Sequence, residues 1–301
     1  MDSRNNYSIA VLLAAYNGEK WLTEQIDSIL VQKQVDIHIY ISLDHSNDDS
    51  LELCVFYASK YDNITLLPYG ERFGGAGQNF FRLVMDVDFN RYDFIAFSDQ
   101  DDIWHADKLI GAVRKLDRYD CYSSNVIAFW DDDRELLIDK AQSQRKWDFL
   151  FEAAGPGCTY VFKRDLAIVF QRWLIKNHDE VVSKVSLHDW LLYAFARYHG
   201  YRWIIDSEPS MRYRQHANNQ VGTNNNWLAA KKRLQLIKSH WYREQVVNIA
   251  GLLELHDIAI IKYGLSGNYL GNLYLLTKIN ELRRRGRDRL ALAIALLFNL
   301  F

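Results

Sequence analysis

Cysteine is scarce in this 301-residue chain: Cys54, Cys121 and Cys158 are odd in number, scattered, and lack metal-ligand spacing. That excludes a disulfide framework and points to a reducing compartment. Charge of one sign is also in short supply. Thirty-six basic side chains against 38 acidic ones leave a net charge of −2, so nothing implies a global attraction to nucleic acid. No uninterrupted apolar stretch is long enough to span a bilayer. The opening Asp2-Ser3-Arg4-Asn5-Asn6 does not read as a signal peptide, and no internal repeat or low-complexity tract is visible. These absences fit a cytoplasmic protein, or one peripheral on the inner face of the cell membrane.

What is present is a sizeable core, with apolar residues at 49% and aromatics at 14%. Such an aromatic share suits a sugar-handling or membrane-edge protein, though simple core filling explains it equally well. The first half alternates apolar runs of strand length with segments of helical spacing. Ile9–Leu13, Ile37–Leu43, Ile64–Leu67 and Tyr92–Phe97 read as strands. Between them, Leu22, Ile26, Ile29 and Leu30, then Phe80, Phe81 and Val84, mark helix faces, and Leu109, Ile110, Val113 and Leu116 mark another after the fourth strand. This pattern predicts an α/β fold with a mostly parallel central sheet flanked by helices. Val126–Trp130, Thr159–Phe162 and Tyr201–Ile205 read as further strands, and from about Trp227 onward the chain reads as helical.

The fourth strand stops at Ser98-Asp99-Gln100-Asp101-Asp102, three carboxylates within four positions. Ionised carboxylates are costly to bury unless paired or bound to metal. Alternate residues of an extended segment point the same way, so Asp99 and Asp101 can face one divalent cation, whose remaining positions suit water and phosphate oxygens. Tyr16-Asn17 and Asp44 also fall at strand ends, where parallel sheets bind ligands. At the other end, Arg283-Arg284-Arg285, Arg287 and Arg289 precede the apolar run Leu290–Phe301. Two readings stand: a basic amphipathic helix at an anionic membrane surface, or a docking helix on the domain or in a homodimer interface.

Six motifs occur in order: Ala14-Ala15-Tyr16-Asn17-Gly18-Glu19, Leu43-Asp44-His45-Ser46-Asn47-Asp48, Phe73-Gly74-Gly75-Ala76-Gly77-Gln78-Asn79, Ser98-Asp99-Gln100-Asp101-Asp102, His188-Asp189-Trp190 and Tyr213-Arg214-Gln215-His216. On these the chain resembles family 2 glycosyltransferases of the GT-A fold, and within them the bacterial rhamnosyltransferases of O-antigen and polysaccharide assembly. The resemblance covers residues 8–222, implying a nucleotide-sugar transferase domain over 1–222 and a helical region over 223–301.

The resemblance implies roles residue by residue. Ala14, Tyr16, Asn17 and Asp44 hold base and ribose, the Asp44 carboxylate accepting the pyrimidine imide hydrogen. The chain departs from the commoner Asp-Asp pair there by carrying His45. Gly75 lets backbone approach the donor, and Asn79 contacts it or caps a helix. Asp101, supported by Asp99 and reached by His216, binds Mg²⁺ or Mn²⁺, while Gln100 and Arg214 serve the donor, the latter neutralising phosphate charge. Asp102 is read as a partner supporting the metal ligands or, by preference, as the cap of the following helix. Asp189 is the catalytic base of an inverting transfer, although spacing alone makes it a helix cap. Gly157, Cys158 and Trp190 lie on the acceptor side.

The donor implied is dTDP-β-L-rhamnose, and the acceptor a glycan or lipid-linked glycan. The rivals are a UDP-hexose transferase of the same fold, an idle nucleotide-binding scaffold, and a glycoside hydrolase. The last would need two carboxylates flanking the scissile bond and gives no reason for a strand-end metal site. Gln171-Arg172-Trp173 has the wrong spacing and position for the motif of processive synthases.

Overall fold

A computed structural model describes residues 6–216 and 240–301. The expected domain boundary at 222/223, the loop segment 217–220 and the start of the helical stretch at Trp227 lie outside the described residues.

The first strand, β1 (Tyr7–Ala15), is buried on both sides from Ile9 onward, which is why its sequence does not alternate. Ile9, Val11, Leu13 and Ala15 pack with α1 (Leu22–Leu30), α2 (Ser50–Lys60) and α4 (Lys108–Leu116). Ala10, Leu12 and Ala14 face α3 (Ala76–Asp86), α6 (Arg164–Lys176) and α8 (His188–Tyr198). Flanking strands are β2 (Val35–Leu43), β3 (Ile64–Leu66) and β4 (Phe94–Ser98), all parallel to their neighbours in this group. The seven-stranded sheet runs β10-β6-β9-β4-β1-β2-β3, with β6 (Cys121–Ser124) parallel to β10 (Trp203–Asp206). β9 (Val161–Lys163) is antiparallel to both β4 and β6, so the sheet is mixed.

Two expectations shift in register or place. The strand expected at Thr159–Phe162 begins later because Gly157–Thr159 close a 3-10 turn, Tyr160 N–H donating to the Gly157 carbonyl at 2.9 Å. The strand at Val126–Phe129 (β7) does not extend the main sheet. It enters a second sheet of order β5-β11-β7-β8, formed with β5 (Ile103–Trp104), β8 (Glu135–Ile138) and β11 (Met211–Arg214).

The chain after residue 240 is helical: α9 (Trp241–Leu252), α10 (Ala259–Gly264), α11 (Tyr269–Thr277), α12 (Ile279–Leu282) and α13 (Gly286–Leu297). Val246, Ile249, Leu275, Leu292, Leu296 and Phe301 join the buried cluster that also covers one face of the sheet. Docking on the domain is therefore what the inward face of α13 does, while Leu290, Ile294, Leu297 and Phe298 remain exposed. The arginine run is itself partly drawn into that docked end. Arg284 is buried, its guanidinium donating to Asp148 at 3.1 Å and to the Ala153 carbonyl at 2.6 Å. Its acidic partners Asp148 and Glu152 lie on α5 (Asp148–Phe151) and just beyond it, remote in sequence. Among the described residues no helix is long and apolar enough to cross a membrane.

Candidate active site

The C-terminal ends of β1, β2 and β4 open onto a cavity of about 890 Å³. The amide of Asn79 ties two of those ends together, donating to the carbonyls of Ala15 at 3.1 Å and Ser42 at 3.0 Å. Asn79 lies inside α3 and does not cap it; its buried Oδ1 has no partner among the described residues. Asp44 is buried and accepts N–H groups from His45 (2.8 Å), Phe73 (2.9 Å) and Gly74 (3.0 Å), which draws the glycine loop over the strand ends. Tyr16 exchanges two hydrogen bonds with the Gln100 side chain at 2.7 and 2.9 Å, leaving its ring exposed. Asn17 adopts a left-handed φ of 47°, and its side chain accepts from Asn47 N–H at 3.0 Å. Ala14, Tyr16, Asn17, Asp44, Gly75 and Asn79 thus meet at one end of the cavity. His45 is not among the lining residues; its ring stacks toward Tyr69.

Next along the cavity come Asp99, Gln100, Asp101 and His216. Burial, then the charges of Asp101 and Asp189, push the Asp99 carboxyl up to about 7, against a thiol hydrogen bond from Cys158 that lowers it. Asp101 Oδ2 lies 2.7 Å from His216 Nε2, and the His216 ring stacks on Trp21 with centroids 4.0 Å apart. Two carboxylates at one strand end, with an imidazole alongside, are a donor set that fits a divalent cation.

Beneath this layer the structure corrects three expectations. Asp102 does not cap α4, which begins at Lys108; it is fully buried and accepts Arg214 N–H at 3.1 Å. Cys158 does not line the cavity. Its thiol, Asp99 and Asp102 each bring an atom within 4.8 Å of the others. Burial, then Asp102 and Asp99, hold that thiol far above its usual range, so it stays protonated and donates hydrogen bonds to these carboxylates. Lys108 Nζ donates to the Cys158 carbonyl at 2.7 Å and sits over the Trp104 ring at 3.3 Å; burial draws it down to about 7. Arg214 also misses the cavity, its guanidinium held by Glu24 and by the Asp101 carbonyl at 2.9 Å. Phosphate neutralisation by Arg214 is therefore not what this arrangement offers.

Asp189 is the second residue of α8 and provides no side-chain cap. Its Oδ1 accepts Trp190 N–H at 2.8 Å, and burial pushes its carboxyl up to about 6 against those backbone bonds and the nearby Lys140 charge. Glycine is required opposite it: a Cβ on Gly157 would lie 2.8 Å from the Asp189 Cβ. Gly77 is constrained in the same way, because its Cβ would meet the Ser186 carbonyl at 2.4 Å. His188 stacks on Phe80 at 3.8 Å, and burial lowers it to about 3, so it is neutral. Trp190 lines the cavity while its indole N–H donates to the Phe149 carbonyl at 3.0 Å.

Sequence reasoning did not place the far wall. Lys140, Glu152, Tyr242, Arg283, Arg285 and Arg287 line the cavity beyond Asp189. The basic run was visible in the sequence, but no spacing rule folds it back over residues 140–157. Trp21 and Arg72, also lining, carried no signal at all.

The family described as "Glycosyl transferase family 2" matches residues 10–167. A "dTDP-rhamnosyl transferase RfbG" from Shigella flexneri is 47% identical over 292 residues, covering 96% of this chain and all of that protein. Among solved structures, S. aureus TarS 1-349 in complex with UDP matches at TM-score 0.57 and 14% identity, over 97% of this chain and 92% of that one. The mannosyltransferase PcManGT from Pyrobaculum calidifontis, in complex with GDP-Man and Mn2+, matches at TM-score 0.52 and 16% identity, over 98% and 88%. At these identities the structural likenesses speak for the fold.

Proposed function

The chain belongs to glycosyl transferase family 2, and from that premise we propose that it moves one L-rhamnose from dTDP-β-L-rhamnose to a hydroxyl of a glycan or lipid-linked glycan, with inversion, in surface polysaccharide assembly. The observation that carries this is the place of Asp189: a carboxylate lining the cavity that stands against Gly157 and near enough to the acidic strand end for its charge to act on Asp99. The rhamnose itself is supported by the 47% identical Shigella relative.

Asp189, with its carboxyl raised to about 6, is ionised at neutral pH yet basic enough to take the proton of the attacking hydroxyl. As that oxygen bonds to the anomeric carbon, the bond to the donor phosphate breaks and its electron pair leaves with dTDP. Asp44 orients the base from the strand end, and Tyr16 and Asn17 flank the nucleoside. Asp99, Asp101 and His216 would hold Mg²⁺ or Mn²⁺, which when bound neutralises charge on the leaving diphosphate. Beneath them, the Asp102–Cys158–Lys108 layer fixes the position of Asp99.

The test is turnover with a panel of nucleotide sugars. Release of dTDP from dTDP-rhamnose with formation of an α-rhamnoside is expected; turnover confined to UDP-hexoses would overturn the donor assignment, and a β-product the inversion.

A further inference from the structure

The cavity has more cation than its donor end uses. Beyond Asp189, Lys140 stands next to Gly155, 3.6 Å from where a Cβ would sit on that glycine. Among the described residues, neither the Lys140 ammonium nor the Arg285 guanidinium has a side-chain hydrogen bond or ion pair, and Arg287 has only a 3.4 Å contact to Asp288 at 72% exposure. All three line the cavity with Arg283. Arg283 is engaged by ion pairs to Glu152 and Asp288 at 3.7 Å and donates to the Phe151 carbonyl at 2.9 Å, so it anchors the wall. Four cations gathered in one concave wall, in excess over the Glu152 and Asp288 carboxylates that face them, are arranged for an anion that approaches from the side opposite the acidic strand end.

A second cavity of about 480 Å³ adjoins this wall and shares Trp241, Tyr242 and Arg283 with the first. Its other lining is mostly apolar, from Ala291, Leu292, Ala295, Leu300 and Phe301. It continues along α13, whose exposed outward residues Leu290, Ile294 and Leu297 are apolar as well. An anion site with a largely apolar cavity adjoining it suits an amphiphile: a phosphate head at the arginines and the first carbons of a lipid chain behind it.

We propose that Lys140, Arg285 and Arg287 form a subsite for the phosphate or diphosphate of the acceptor, and that the second cavity takes the start of its lipid chain. This deepens the transferase reading and rests on it. The phosphate would set how far the acceptor enters, and so which hydroxyl reaches Asp189.

The test uses the full chain with farnesyl diphosphate, farnesol and pyrophosphate as probes, titrated with dTDP and Mg²⁺ saturating and again without nucleotide. Farnesyl diphosphate is expected to bind more tightly than either other probe. R285A/R287A should weaken it by about tenfold or more and leave dTDP binding unchanged. Arg287→Glu alone, at an exposed position that folding does not need, should weaken it in the same direction. Ala291→Asp should weaken farnesyl diphosphate but not pyrophosphate. Equal binding to wild type and both arginine variants overturns the subsite, as does a parallel loss of dTDP affinity. Pyrophosphate binding as tightly as farnesyl diphosphate, with Ala291→Asp silent, overturns the lipid half. Failure of wild type to bind dTDP sinks the donor reading instead, and the nucleotide-free titration still reads the anion site.

Discussion

The two ends of the cavity are built in opposite ways. At the nucleoside end, residues 14–102 supply nearly everything, and each polar group sits where a parallel strand stops. Asp44 and Asn79 are held by main-chain groups that the sheet itself brings together. At the arginine end, segments separated by well over a hundred residues meet: Arg284 pairs with Asp148, and Arg283 with Glu152. The first kind of site follows from topology, because parallel strands leave their C-terminal ends side by side. The second exists only once the helices of the C-terminal region have docked.

The sharpest way to break this contrast is at the boundary between the two ends. Asp189→Asn should lower kcat by about 10²–10⁴-fold while nucleotide binding, read by calorimetry, stays intact. Near-normal turnover would remove Asp189 from the reaction. Arg284→Ala tests the docked end: its side chain is 1% exposed against a fully buried Asp148. Breaking such a pair leaves a charge unpaired, so urea unfolding should show a loss of about 3–5 kcal/mol. A loss no larger than that of a surface change would mean the C-terminal helices are not integral to the core.

The acidic side sharpens the comparison through pH. Because the Asp189 carboxyl titrates at about 6, kcat/KM should fall by about tenfold per pH unit below that value, and Asp189→Asn should abolish the dependence. Asp99, raised from 3.8 to about 7, binds more protons folded than unfolded across that window. Stability should therefore decline as pH rises through it. Mn²⁺ should offset that decline, raising the melting temperature more at pH 8 than at pH 5.5, and Asp101→Asn should flatten the difference. The smallest effect belongs to the outward face of α13. Leu297→Ser at a half-exposed position should change stability by no more than about 0.5 kcal/mol, checked by the same urea melts.

Legibility in the sequence follows the same divide. The strand run ending at Asp99 and Asp101 was readable because an apolar stretch broken by carboxylates is a local signal. The mixed order of the sheet was less so, since nothing in Val161–Lys163 marks β9 as antiparallel. Arg214 was misplaced because its partner Glu24 lies 190 residues away, and no spacing rule spans that distance. Cys158 was misread, and Asp102 left between two readings, for a related reason: sequence shows that a residue is near the site, not whether it faces the cavity or the layer beneath. The arginine run left two readings open, because a basic stretch before an apolar helix has the same pattern whether it meets lipid or its own domain.

The reversed direction of β9 has a further consequence. An antiparallel strand presents its entrance, not its exit, at the edge where its parallel neighbours end; Phe97 N–H bonds the Tyr160 carbonyl at that edge at 3.0 Å. The turn at Gly157 therefore arrives from residues 139–156, while α6 and α7 (His178–Lys184) leave from the opposite edge. The loops at the ends of β1, β2 and β4 and the turn at Gly157 are thus hung from different strands. If the proposed acceptor side is right, exchanging residues 139–156 between relatives trades one acceptor for another while the pocket at the parallel strand ends keeps its shape.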